Sequence, residues 1–406
     1  MRIALVGVSP DAKTGFGTQT RGILETLSQE HDVFSIGHGG DAIVWGGTRS
    51  YRYESGLTVP LYTMPNPLVD PEGAKRLVQE YAKMLRLDLV LAHWDLFPLA
   101  FLRDAEIPYI AYVPVDGPMT ALWYDYAKNC QRIVAFCEYG TREFLKFAPP
   151  AQVARIPHGL DTSVFRPLDI DRAVLRRGLP YTPAIPEDAF LLMHVGTNVT
   201  ERKQLPLLLR ALAKFAKLEP RAHLLLHTNP LPQGGQGYQL PLIARDLGIS
   251  DRVHFPQKNP ILVGADDEEM NRAYNAADYY VTLSQGEGWG VPLAEAMATG
   301  TPVIAGDNSS QTELVKGRGF LYRMVPGETF VDYPMYTPYG SWFPVPDIES
   351  LLDSMMEARN SPDRERLARK CRSFAEQFDW KLVGPQWRKL VVEVGDEVDL
   401  FRSILW

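Results

Sequence analysis

Glu287 and Glu295 bracket the most informative stretch of this chain, Ser284-Gln285-Gly286-Glu287-Gly288-Trp289-Gly290-Val291-Pro292-Leu293-Ala294-Glu295. Glycines at 286, 288 and 290 let the backbone approach a ligand closely. Pro292 opens a helix that Gly300 closes, and a helix start offers free N–H groups and a positive dipole end. Such a start suits an anion. Carboxylates beside an anion site do not bind phosphate, so recognition of hydroxyl groups is the sensible work for Glu287, in the loop, and Glu295, in the first helical turn. Complementing the helix dipole is the plain alternative for either one. Upstream, Gly196-Thr197-Asn198-Val199-Thr200-Glu201-Arg202-Lys203 separates a strand from a helix. There Arg202 and Lys203 can neutralise a diphosphate, against the ordinary reading of a solvated helix start. His93, with Asp95 and Asp116 as further candidates, stands where a strand ends, although a lone histidine often serves only structure.

These residues need elements to hold them. Short apolar runs alternate with helix-period segments from residue 1 onward, which predicts parallel strands joined by crossover helices. Candidate strands are 3–8, 33–36, 87–92, 109–113 and 132–136 in the first half. In the second half they are 190–196, 222–227, 252–255, 279–283 and 302–305. Ile23, Leu24 and Leu27 mark the first crossover helix, over 18–29, and Leu205, Leu208, Leu209, Leu212 and Phe215 mark another. The Pro-, Gly- and Asp-rich stretch 157–167 reads as a linker. The expected fold is α/β, with two doubly wound Rossmann-like domains. Residues 1–167 with a C-terminal helix over 384–406 form the first, and 168–383 the second. Residues 326–346, with Tyr333, Tyr336, Tyr339, Trp342 and Phe343 among prolines and glycines, break the rhythm.

Composition narrows the chemistry. With 406 residues, 45% of them hydrophobic, the chain can build two cores. A formal charge of -7 gives no nucleic-acid footprint. Cys130, Cys137 and Cys371 lack metal-ligand spacing and are too few for a disulfide framework, which fits a reducing compartment and a cytoplasmic protein. No stretch near the N-terminus is long enough to span a bilayer. The C-terminal Leu400-Phe401-Arg402-Ser403-Ile404-Leu405-Trp406 is apolar enough for peripheral membrane contact, though packing on the protein's own body is the commoner fate. Gly15-Phe16-Gly17 sits too far from the opening strand for a dinucleotide fingerprint, and the second strand runs into Ile36-Gly37-His38 where that fingerprint wants an acid, which argues against a dehydrogenase.

The segment from Glu287 to Glu295 is similar to the paired-glutamate motif of retaining glycosyltransferases of the GT-B fold, and of glycosyltransferase family 4 in particular. Its flanks agree: Ala273-Tyr274-Asn275-Ala276-Ala277-Asp278 before it and Thr301-Pro302-Val303-Ile304-Ala305 after it. Ile156-Pro157-His158-Gly159-Leu160-Asp161-Thr162-Ser163-Val164-Phe165-Arg166-Pro167 resembles the family's interdomain linker. Phe378-Asp379-Trp380 resembles the point where its last helices cross back to the first domain.

The resemblance implies two domains facing across a cleft and transfer of a sugar from a nucleoside diphosphate sugar, with no cofactor and no metal. It implies that Glu295 binds the ribose hydroxyls, that Glu287 sits by the donor sugar, and that backbone amides at Gly290 and Val291 hold the distal phosphate. Val253 and Phe255, at a strand end, are where the family seats the base. His93 takes the place of a histidine that contacts the transferred sugar, and Gly15 and Gly17 become first-domain contacts to the donor. Two departures stand out. Asn198 occupies a position where many members carry arginine, which shifts load onto Arg202, and Ser309 and Ser310 replace a pair of glycines. The sequence does not reveal the acceptor: a glycan, a lipid-linked sugar or a small molecule is the first expectation, with a protein or a modified base also open. Rival readings are a nucleotide-sugar epimerase of the same fold and a non-catalytic sugar-nucleotide-binding protein.

Overall fold

The computed structural model describes residues 1–39, 48–198, 201–232, 235–258, 265–331 and 341–405. Val199, Thr200, Tyr333, Tyr336 and Tyr339, singled out above, lie outside the described residues. The chain divides into two compact units: Met1–Gly159 with Trp380–Trp406, and Leu160–Val331 with Trp342–Asp379.

The first unit is built on an eight-stranded sheet. Its strands are β1 (Arg2–Val8), β2 (Asp32–His38), β3 (Thr48–Arg52), β4 (Thr58–Thr63), β5 (Leu89–His93), β6 (Tyr109–Val113), β7 (Arg132–Ala135) and β8 (Val153–Arg155). The spatial order is β3-β4-β2-β1-β5-β6-β7-β8, all parallel save the β3–β4 hairpin at one edge. β1 and β5 are apolar along nearly their whole length because helices cover both faces of a parallel sheet. The final helix, Trp380–Leu405, packs on the helix Gly15–Leu27. Its Trp380 indole fills the space where side chains at Gly22 and Gly159 would stand: a Cβ built there would lie 2.0 and 2.3 Å from the ring. The glycine of the linker motif is thus required by the tryptophan of the Phe-Asp-Trp motif.

The second unit has a seven-stranded sheet in the order β15-β14-β13-β10-β11-β12-β9. The strands are β9 (Tyr181–Thr182), β10 (Phe190–Val195), β11 (Ala222–His227), β12 (Val253–Pro256), β13 (Tyr279–Val281), β14 (Val303–Gly306) and β15 (Phe320–Tyr322). Only β9, against β12, runs antiparallel. A separate two-stranded ribbon pairs β16 (Met324–Val331) with β17 (Ser341–Pro346). Leu205, Leu208, Leu209, Leu212 and Phe215 are wholly buried beneath this sheet, as their helical spacing predicts. The chain leaves β10 toward β11 on one side and returns on the other side as β13. β10 is therefore the point where strand order reverses, and in doubly wound sheets ligands bind beyond the carboxyl ends of strands at such a point.

Candidate active site

The loops leaving β10 and β13, being neighbours in the sheet, bring together residues that lie far apart in sequence. After β13 the chain runs through Ser284 to Gly290 and enters the helix Val291–Ala298. Gly290 has φ +97°, a left-handed conformation that a side chain would strain, and no side chain caps the helix start. The amides of Gly290 and Val291 have no hydrogen-bond partner among the described residues. A helix start of this kind can take an anion.

After β10 the turn Glu201–Lys203 carries both cations to that loop. Lys203 Nζ pairs with Glu287 Oε1 and Arg202 Nη1 stands 3.3 Å from Glu287 Oε2. Arg202 also donates to the Gly286 carbonyl and, at 3.4 Å, to Ser284 Oγ, while its own carbonyl accepts from the Gln285 amide at 2.9 Å. All three charged side chains are largely buried, with 13–18% of their surface exposed. Burial pushes the Glu287 pKa up, but Lys203 and Arg202 together pull it further down, to about 2. Glu287 is thus ionised at neutral pH and holds both cations in place.

Glu295 has the opposite surroundings. It lies in the second turn of its helix, not the first as expected, because the helix begins already at Val291, one residue before Pro292. No cation pairs with it among the described residues. Burial raises its pKa to about 8, against the opposing pull of the Tyr274 hydroxyl, which donates to Oε2 at 2.7 Å. The two glutamates therefore differ in charge state although they share one loop and helix.

Several residues that hold this loop carry no signal of their own in the sequence. Ser309, at φ +48°, accepts from the Glu287 amide at 3.0 Å. Ser310 Oγ donates to the carbonyls of Glu287 and Trp289, both at 2.8 Å. Gln311 Nε2 donates to the Ser284 carbonyl at 3.0 Å. The two serines that replace the glycine pair thus clamp the loop. Beneath, His194 donates through Nδ1 to the Val281 carbonyl at 2.8 Å and stacks on Tyr280, and burial holds its pKa near 4.

The remaining candidates have surroundings of their own. The Asn198 side chain is committed to the backbone: Nδ2 donates to the carbonyls of Asn229 (3.1 Å) and Tyr238 (2.8 Å), and Oδ1 accepts from the Tyr238 amide (2.9 Å). It staples two loops and has little left for a phosphate. Val253, which opens β12, and Phe255, near its end, are both buried in the core of the second unit. In the first unit His93 is the last residue of β5 and is fully buried. Its ring stacks on Tyr112 at 4.8 Å and meets Phe16 edge-on, and burial lowers its pKa to about 4. Nδ1 is 3.3 Å from the Tyr112 carbonyl and Nε2 has no partner among the described residues. Gly15 begins its helix, and the Gly17 amide donates to the capping Thr14 Oγ1 at 3.1 Å. A Cβ on Gly17 would lie 2.0 Å from the Ala12 carbonyl oxygen, so the packing of its own loop requires glycine there.

The second unit thus places a helix start able to take an anion beside two fixed cations, at the switch point of a doubly wound sheet. Residues 181–374 match the family model described as glycosyl transferases group 1. The D-inositol 3-phosphate glycosyltransferase of Thermomonospora curvata is 34% identical over 192 residues, covering 44% of this chain and 41% of the relative. D-inositol 3-phosphate glycosyltransferase 1 of Catenulispora acidiphila is 34% identical over 163 residues, covering 39% of this chain and 36% of the relative. The match thus spans about two fifths of the length of these curated relatives. The fold extends over the whole chain. Sucrose-phosphate synthase from Thermosynechococcus elongatus superposes with a TM-score of 0.76 at 17% identity, covering 97% of this chain and 99% of that one. Anabaena HepE, solved in complex with UDP and glucose, gives 0.72 at 17% identity, covering 97% and 100%. The fold is GT-B. No described helix is long and apolar enough to cross a membrane.

Proposed function

We propose that this protein is a glycosyltransferase that moves a hexosyl-type sugar from a nucleoside diphosphate sugar to an acceptor hydroxyl, with retention of anomeric configuration. One observation carries the reading: Arg202 and Lys203 are fixed by Glu287 beside a glycine-rich helix start whose Gly290 and Val291 amides have no partner among the described residues. When a glycosidic bond to a diphosphate breaks, negative charge grows on the leaving oxygens. Cations and amides already in position stabilise that charge without reorganising. In this account they do the work a divalent metal does elsewhere, so no metal or other cofactor is needed.

Glu287 remains ionised and cannot serve as a proton donor near neutral pH. It orients the cations, and its charge favours the electron-poor sugar carbon of the transition state. Glu295, with no cation of its own, binds the ribose hydroxyls. Retention, and assignment to family 4, rest on the resemblance around the two glutamates. Three free, buried cysteines accord with a cytoplasmic setting.

The test is to incubate the protein with nucleoside diphosphate sugars in EDTA, with hydroxyl-bearing acceptors, and follow diphosphate release and the product's anomeric coupling by NMR. Acceptor-dependent release with a retained anomer is expected. Inversion, or epimerised donor with no transfer, would overturn the reading.

A further inference from the structure

Glutamate is a long, flexible side chain, and one that must meet a ligand at a fixed point loses rotamer freedom unless the protein has already restricted it. Glu295 has no ion pair to restrict it. What it has is the Tyr274 hydroxyl, 2.7 Å from Oε2 and the single donor to this carboxylate among the described residues. Tyr274 is itself immobilised. It lies on the helix Asp267–Ala276 with its ring wholly buried, the Phe165 ring packs edge-on at 6.2 Å, and Thr301 Oγ1 donates to its carbonyl at 2.8 Å. Burial keeps the phenol protonated, so the hydroxyl stays a donor. With Oε2 anchored, Oε1 is left with no hydrogen-bond partner among the described residues.

We propose that Tyr274 is a positioning residue that aims Glu295 at the ribose, and that this pair makes the site choose ribonucleotides over 2′-deoxyribonucleotides. The proposal rests on the reading of the site as a sugar-nucleotide site. A carboxyl group anchored at one oxygen presents the other in one place, where a ribose hydroxyl can be recognised. Without the anchor the carboxylate turns freely and the hydroxyl no longer contributes. A tyrosine that merely fills the core would affect folding and leave the choice of sugar untouched.

The experiment is titration calorimetry of the full chain with UDP, GDP and ADP and with their 2′-deoxy counterparts, on wild type and Tyr274→Phe. Wild type is expected to bind at least one ribonucleotide, with its deoxy form about tenfold weaker or more, since a site built for a hydroxyl rejects the analogue that lacks it. Tyr274→Phe is expected to lose affinity for the ribonucleotide only, so that the preference collapses to within about threefold. A variant that keeps the wild-type preference overturns the role of Tyr274 while leaving the nucleotide site intact. Failure of wild type to bind any of the three overturns both. Should Tyr274→Phe not fold, Glu295→Asp supplies the test: it keeps the carboxyl group but is one methylene short of the Tyr274 hydroxyl, and full retention of the preference in it overturns the proposal.

Discussion

Ser310 Oγ donates to the Glu287 carbonyl at 2.8 Å, and so ties the helix that follows β14 to the loop that follows β13. The same hydroxyl reaches the Trp289 carbonyl at 2.8 Å, so one buried side chain sets the backbone on both sides of Gly288. Ser310→Ala is expected to cost about 1–2 kcal/mol in urea unfolding, because two buried carbonyls lose a donor. It should also weaken nucleoside diphosphate binding in calorimetry, whereas Ser310→Thr should retain both. Unchanged affinity in Ser310→Ala would mean that the loop keeps its shape without the clamp.

Arg202→Ala combined with Lys203→Ala removes both cations that face the proposed leaving group. Turnover should fall at least about 100-fold, the scale seen when one strong electrostatic donor is lost. Steady-state kinetics with chelator present are the check. Turnover within a few-fold of wild type, or loss of wild-type activity to the chelator, would show that something else handles the leaving group.

Much of this was readable from the chain alone. β6, at Tyr109–Val113, and β11, at Ala222–His227, fall where the apolar runs predict them, because a strand buried on both faces leaves a continuous apolar signature. β3 and β4 gave no such signature. Both form an edge hairpin whose positions alternate in burial, with none fully buried in β3. The start of the helix after Gly290 was legible from glycine and proline, but the turn on which Glu295 sits was not, since boundaries slip by a residue or two. Asn198 and Ser310 show the deeper limit. Each acts through backbone groups of other loops, and only folding reveals which carbonyl a side chain meets.

The raised pKa of Glu295 gives a sign to the pH dependence of stability. With a folded value near 8 against an ordinary 4.5, the folded state holds this proton more tightly than the unfolded chain. The associated stability is complete below about pH 4.5 and is lost as pH rises through about 8. Glu295→Gln, neutral throughout, should flatten that dependence, so its melting temperature relative to wild type should rise between about pH 5 and about pH 8, the window between the two pKa values. Parallel curves for the two proteins would show that Glu295 is ionised across the range.

Gly22→Ala places a methyl group against the Trp380 indole, 2.0 Å from its nearest atom. The ring must move, and overpacking of this kind typically costs about 1–3 kcal/mol. Chemical denaturation followed by tryptophan fluorescence should show the loss, and Gly22→Ala combined with Trp380→Leu should recover part of it. No destabilisation in the single variant would mean that the final helix packs more loosely than described.

The central claim is that the second unit holds a nucleoside diphosphate through Arg202, Lys203 and the helix start at Gly290. Its most direct measurement is the melting temperature of wild type and the Arg202→Ala, Lys203→Ala double variant, with and without saturating UDP, GDP and ADP. A ligand at 100 times its dissociation constant stabilises the folded state by about 2.7 kcal/mol. A clear rise is expected in wild type with at least one nucleotide, and little or none in the double variant at the same concentration. Equal stabilisation of both proteins, or of neither, would contradict it.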